Sequence, residues 1–180
     1  MRTNKIIIVV LSLVLFLISC KKRDMNVLPA ETQNQSFGCL LNNKVWVNEG
    51  SNHFGQSGLD VSIYKNEFSI LADKSNNTIH QEFNFYINQP LKVGLFYLNK
   101  SNCYAGMNDV VTQCSFNTDS TLNTGTLEIT KYDTVQKIVM GRFSFKALGY
   151  YYGSTDTIKK HKDSIITVTE GRFNIKYYTY

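Results

Sequence analysis

Two arginines in a repeated tripeptide are the residues whose type and spacing most directly suggest binding chemistry. Gly-Arg-Phe occurs in GRFSFK at 141–146 and again in GRFNIK at 171–176. Arg142 and Arg172 could clamp an anion, since a guanidinium group can hold a carboxylate through two hydrogen bonds. The alternative is structural, because a glycine within a strand pattern marks a bulge or bend. The structural alternative is favoured, because one repeated six-residue motif is not a repeat architecture. It predicts four inward side chains: Phe143, Phe145, Phe173 and Ile175.

Catalytic and metal-binding signatures are missing from the sequence pattern. His53, His80 and His161 are far apart along the chain and have no carboxylate or cysteine partner at ligand spacing. No GxSxG elbow occurs, and the glycine-rich EGSNHFGQSG is not followed by GK[ST]. Glu128 and Asp133 lie on or beside one predicted strand, which is too common to indicate acid–base catalysis. The sequence therefore predicts no catalytic residue, no metal ligand and no cofactor, and it disfavours an enzyme.

The cysteines offer a second kind of chemistry. If the chain is exported, it meets oxidising conditions, in which a disulfide can form. The segment CYAGMNDVVTQC would close a short loop, so Cys103–Cys114 is the preferred pairing. Cys39 would then be a buried free thiol, although an odd cysteine leaves other pairings open.

Four aspartates are each followed by a hydroxyl residue and then by an apolar residue or threonine. This pattern resembles the O-glycosylation sequon of exported Bacteroidetes proteins, in which the hydroxyl carries the glycan. The alternative is that Asp and Ser or Thr form turns before a β-branched residue opens the next strand. The candidate glycosylation sites are Ser120, Thr134, Thr157 and Ser164.

Clustered tyrosines are candidates for ligand contact. Tyr150, Tyr151 and Tyr152 are consecutive, so in a strand some of them must face outward. Exposed aromatic rings can stack on sugars or form a protein contact. The alternative is that these tyrosines cover a sheet face and keep their hydroxyl groups in water.

The first 20 residues indicate export. Arg2 and Lys5 precede an uncharged run from Ile6 to Ile18, which is too short for the roughly 20 residues that a membrane-spanning helix needs. A basic start followed by a short apolar core is typical of a secretory signal. The last four residues, LISC, resemble the lipobox of bacterial lipoproteins. The resemblance implies that residues 1–19 are removed and that Cys20 carries lipid.

Charge and composition limit the partners. Removal of residues 1–19 takes away Arg2 and Lys5, so the net charge falls from +5 to +3 over a domain large enough for a real core. A mildly basic surface without a clustered basic face does not predict nucleic-acid binding. The membrane, reached through the N-terminal lipid, is the first expected partner.

Alternation of apolar and polar residues predicts the fold. Residues 20–35 are polar and contain Pro29, which indicates a flexible tether. From residue 36 to residue 180 nearly every segment alternates like a strand, and no helical period is sustained. Asn42-Asn43 and Asn66 mark two tight hairpins. We therefore expect a single all-β domain, an antiparallel β-sandwich or barrel-like fold of about ten strands.

Several motifs together resemble an uncharacterised, all-β family of Bacteroidetes lipoproteins. They are LISC, FGCLLNNKVWV, GTLEITKYD, GRFSFKA and TEGRFNIKY, and the likeness covers most of residues 14–180. The resemblance implies an exported lipoprotein and carries over no active site. Surface-displayed lipoproteins of that phylum usually have acidic residues soon after the cysteine. Here Lys21-Lys22-Arg23 follow it, which slightly favours the periplasmic face of the outer membrane over the cell surface.

The leading functional hypothesis is a non-catalytic module that binds a protein or glycan of the envelope. A small envelope hydrolase or isomerase, with a site assembled from distant strands, is the first alternative. A structural or adhesive subunit that pairs through an exposed sheet edge is the second.

Overall fold

The structure, a computed structural model, describes residues 27–31, 33–49, 58–76, 78–99, 102–118, 125–151 and 159–179. The described chain is all β, as the alternating sequence predicts. None of its residues belongs to a helix that is long and apolar enough to cross a membrane. The strands are β1 (Ser36–Leu41), β2 (Lys44–Val47), β3 (Leu59–Tyr64), β4 (Glu67–Ser75), β5 (His80–Asn88), β6 (Gly94–Tyr97), β7 (Cys103–Asp109), β8 (Cys114–Asn117), β9 (Gly125–Asp133), β10 (Ile138–Tyr151), β11 (Lys159–Lys176) and β12 (Tyr178–Thr179).

One curled sheet contains all of these strands. Its main order is β12-β3-β4-β5-β7-β8-β10-β11-β1-β2, and β6 joins through β9, which pairs with β10. The pairings are antiparallel except for that of the short β12 with β3. The result is a half-barrel, in agreement with the predicted antiparallel, barrel-like class.

An aromatic core explains why the sheet curls. Phe37 of β1 and Phe85 of β5 lie five strands apart in the sheet, which is about 24 Å along a flat sheet at ~4.8 Å per strand. Their ring centroids are nevertheless 6.0 Å apart. Phe143 contacts both rings, at 4.9 Å from Phe37 and 4.8 Å from Phe85. Burial of these rings therefore folds the sheet onto itself.

The predicted hairpins are confirmed. Asn42 and Asn43 have φ of 49° and 63°, which is the left-handed conformation that a two-residue turn between β1 and β2 requires. Lys65 and Asn66 connect β3 to β4 in a second two-residue turn, in which Lys65 has φ 54°.

One strand differs from the sequence prediction. The cysteine spacing predicts a loop that begins at residue 103, whereas residues 103–109 form β7 and pair with both β5 and β8. The prediction missed β7 because it expected Cys103 and Cys114 to be bonded to each other. In the structure, Cys103 begins β7, whereas Cys114 begins β8 and faces the other end of β7.

The segment before β1 contacts the sheet along residues 27–31 and 33–35, whereas the sequence predicts a flexible tether through residue 35. The Asn174 side chain donates a hydrogen bond to the Glu31 carbonyl at 3.3 Å. The backbone N–H of Lys176 donates to the Gln35 side chain at 3.1 Å. These contacts hold the end of the predicted tether on β11.

Candidate functional site

The two Gly-Arg-Phe tripeptides pair with each other. In the ladder between β10 and β11, Gly141 faces Phe173, Arg142 faces Arg172, and Phe143 faces Gly171. A Cβ atom on Gly171 would lie 2.3 Å from the Phe143 ring, and one on Gly141 would lie 2.5 Å from the Phe173 ring. Each glycine thus makes room for the phenylalanine of the other tripeptide. The structural interpretation of the repeated tripeptide is confirmed, and the four side chains predicted to point inward are buried: Phe143, Phe145, Phe173 and Ile175.

A bulge lies beside this pairing, as the glycine pattern predicts. Glu170 has φ 51°, and the register shifts next to it against both β10 and β1. An extra residue in one strand bends the strand and redirects its side chains.

The two arginines do not form an open anion clamp. Arg142 binds both carboxylate oxygens of Glu31, at 2.8 Å and 2.9 Å, and this hydrogen bonding holds the pKa of Glu31 below its usual range. Arg172 lies 3.8 Å from a carboxylate oxygen of Glu170. Glu128 faces Arg142 across the ladder. Three carboxylates therefore surround two guanidinium groups, and this patch has no excess of positive charge.

A groove lies next to the arginines on the outer face of the sheet. It forms where β10 changes partner, because Phe145 is the last residue that pairs with β9 and Leu148 the first that pairs with β8. Lys146 and Ala147 lie between these two pairings. The cavity has a volume of about 610 Å³. Its outward side chains are Tyr97, Thr126, Ser144, Lys146, Leu148, Ile165, Thr167 and Thr169.

The groove side chains form ordered rows across the strands. Tyr97 of β6 faces Thr126 of β9, which in turn faces Ser144 of β10. Leu148 faces Ile165 further along the β10–β11 ladder. Tyr97 is 59% exposed and Ile165 is 54% exposed, so the ring and the aliphatic chain are available to a ligand. One row thus offers an aromatic face with two hydroxyl groups, and another offers an apolar surface.

Family models, curated proteins and solved structures give no match to this chain. The functional conclusion therefore depends on the geometry of the groove.

The disulfide predicted between Cys103 and Cys114 is not formed. Both are free thiols, as is Cys39. Cys114 faces Asp109, at the opposite end of β7 from Cys103. Six residues of extended strand separate these ends by about 20 Å, far beyond the separation that a disulfide can bridge.

The remaining predicted site residues are spread along the chain. Thr134 lies in the exposed turn between β9 and β10, where Asp133 accepts hydrogen bonds from the N–H groups of Val135 and Gln136. Ser164, Tyr150 and Tyr151 belong to strands β11 and β10. The other four predicted residues lie outside the described residues: Cys20, Ser120, Tyr152 and Thr157.

Sequence reasoning was wrong about one histidine. His80 Nε2 lies 3.3 Å from a carboxylate oxygen of Glu82 and 3.8 Å from one of Asp73. The His80–Glu82 spacing of two residues was a usable signal, because alternate residues of a strand share a face. The contact with Asp73 depends on the β4–β5 register, which the spacing does not specify.

Proposed function

We propose that this chain is a lipid-anchored protein of the bacterial cell envelope that binds a glycan in its groove without catalysing a reaction. The observation that carries this proposal is the row from Tyr97 through Thr126 to Ser144, an exposed aromatic ring followed by two hydroxyl groups on neighbouring strands.

A sugar matches this arrangement in two ways. Its C–H face can lie against the Tyr97 ring, while its hydroxyl groups can exchange hydrogen bonds with Thr126 and Ser144. The volume of about 610 Å³ falls within the usual size range of small-molecule sites. Paired strands carry all three side chains, so the backbone of the site is already ordered before a ligand binds.

The anchor is proposed to be lipid on Cys20, with the protein on the periplasmic face of the outer membrane. The lipobox resemblance supports this, and several acyl chains would hold the protein firmly, because each buried CH₂ contributes about 0.8 kcal/mol. Growth with a labelled fatty acid tests the anchor. The wild-type protein should take up label and Cys20→Ala should not, whereas equal labelling would refute the anchor.

Glycan binding is tested by titrating the protein with soluble oligosaccharides released from envelope polysaccharide. The methyl resonances of Thr126, Thr167 and Thr169 should shift. That of Thr130, exposed on β9 outside the groove, serves as the control and should stay unchanged. Shifts produced by envelope peptides and by no oligosaccharide would instead support a protein ligand.

Assembly through a sheet edge has less support. The strands that end the main sheet order are short, with two residues in β12 and four in β2. Short edge strands offer few unpaired backbone groups to another chain. The hydrolase or isomerase alternative remains a prediction.

A further inference from the structure

We propose that Asp73, His80 and Glu82 form a binding site for a divalent transition-metal cation, with zinc as the best match. The site lies on the outer face where β4 and β5 pair. Asp73 faces Glu82 across the ladder, and His80 precedes Glu82 by two residues on the same face. Since the groove is built on β6, β9, β10 and β11, this proposal is independent of the proposed glycan binding.

The donor atoms already stand near ligand spacing. The imidazole Nε2 of His80 is 3.3 Å from Glu82 Oε1 and 3.8 Å from Asp73 Oδ1, and the three donor atoms lie within 4.8 Å of one another. Zinc binds nitrogen and oxygen ligands at about 2.1 Å, which places two ligands of a tetrahedral site roughly 3.4 Å apart. A cation between the three atoms therefore requires only small side-chain movements.

Burial and charge also favour a cation. Asp73 is 9% exposed, and a carboxylate at that depth is costly unless positive charge lies close to it. Here two carboxylates flank one imidazole. A divalent cation held between the three side chains would place positive charge beside both carboxylates.

Backbone hydrogen bonds fix the strand ends that carry the ligands. The N–H of Asp73 donates to the Gly58 carbonyl at 2.6 Å, and the Asp73 carbonyl accepts from Glu49 at 3.3 Å. The His80 carbonyl accepts from Val110 at 2.9 Å. The backbone that carries two of the three ligands is therefore ordered before a metal binds.

The ligand types select the class of cation. Magnesium and calcium prefer oxygen ligands alone, whereas an imidazole nitrogen suits zinc and its neighbours in the first transition row. Three protein ligands leave at least one position for water or for an oxygen of a bound molecule. His80 and Glu82 are partly exposed, so that position can be reached from solvent.

The test is a zinc titration of the full chain, purified in detergent and stripped of metal, followed by calorimetry. The wild-type protein should bind one zinc ion, and His80→Ala and Glu82→Gln should each weaken binding at least tenfold. Matched controls are His161→Ala and Glu128→Gln, which should bind as the wild type does. Cobalt should give the visible absorption of a low-coordinate site, whereas magnesium and calcium should bind weakly.

Three results would overturn the proposal. They are an absence of zinc binding by the wild-type protein, equal affinity in His80→Ala and His161→Ala, and a preference for magnesium over zinc. Glu82→Gln keeps the shape of a partly exposed side chain, so it tests the zinc site even if His80→Ala fails to fold.

Discussion

Arg142 and Glu31 are joined by a two-point ion pair across 111 positions of sequence. This contact places the N-terminal segment on the outer face of the sheet, beside the groove. Glu31 follows Cys20 by eleven positions, which is at most about 40 Å of extended chain. If Cys20 carries lipid, as proposed, this length sets the greatest distance between the membrane surface and Glu31, which lies beside the groove.

The first prediction concerns the stability of that contact. Arg142→Ala should increase hydrogen exchange in residues 27–35, because the segment loses its carboxylate partner. Lys146→Ala, an exposed change on the same strand, should leave the exchange unchanged. Unaltered protection in Arg142→Ala would show that other contacts hold the segment.

The same contact should respond to acid. Arg142 lowers the pKa of Glu31, so the ion pair is fully formed above the usual pKa of a glutamate and is lost as the pH falls through the lowered folded value. In the wild-type protein, the rate of hydrogen exchange in residues 27–35 should rise over that acidic interval, after correction for the intrinsic effect of pH. It should show no such step in Glu31→Gln.

The second prediction concerns the paired tripeptides. Gly171→Ala should lower the free energy of unfolding by about 1–3 kcal/mol, since the added carbon would overlap the buried Phe143 ring. Thr130→Ala, at an exposed position of β9, is the control and should change stability by about 0.5 kcal/mol or less. Chemical denaturation measures both, and equal stability of the two variants would contradict the packing described.

The third prediction concerns the thiols. Cys114 should react with a maleimide in the native protein, because it is partly exposed, whereas Cys39 and Cys103 are buried. Burial also raises the pKa of the Cys39 and Cys103 thiols, which suppresses their reactive thiolate forms. Mass spectrometry of the labelled peptides will show the order in which the three thiols react. A Cys103–Cys114 crosslink in the unreduced protein would contradict the structure.

The fourth prediction concerns glycosylation. Thr134 is exposed in a turn, so its hydroxyl can be reached by a modifying enzyme. If the sequon is used there, the native protein should exceed the mass of its lipidated chain, and Thr134→Ala should lose one glycan. Thr130→Ala, which has no preceding aspartate, should keep the glycan. A native mass that is explained by lipid alone would refute modification at any site.

Local signals predicted much of the fold but little of the groove. The positive φ of Asn42 and Asn43 follows from their residue type, and the buried face of β5 follows from alternation. The groove depends on a change of partner along β10 between Phe145 and Leu148, which is a long-range pairing. Alternation is the same whichever strand lies alongside, so it carried no information about that change. Alternation did not predict the Asp73–His80 contact either, because that contact depends on how β4 pairs with β5.

The most direct test of the central claim compares two tyrosines of nearly equal exposure. Tyr97 lies in the groove and is 59% exposed, and Tyr178 lies outside it and is 58% exposed. Affinity for soluble oligosaccharides from the envelope should fall at least tenfold in Tyr97→Ala and stay unchanged in Tyr178→Ala. Equal affinities of the two variants and the wild-type protein would contradict glycan binding in the groove.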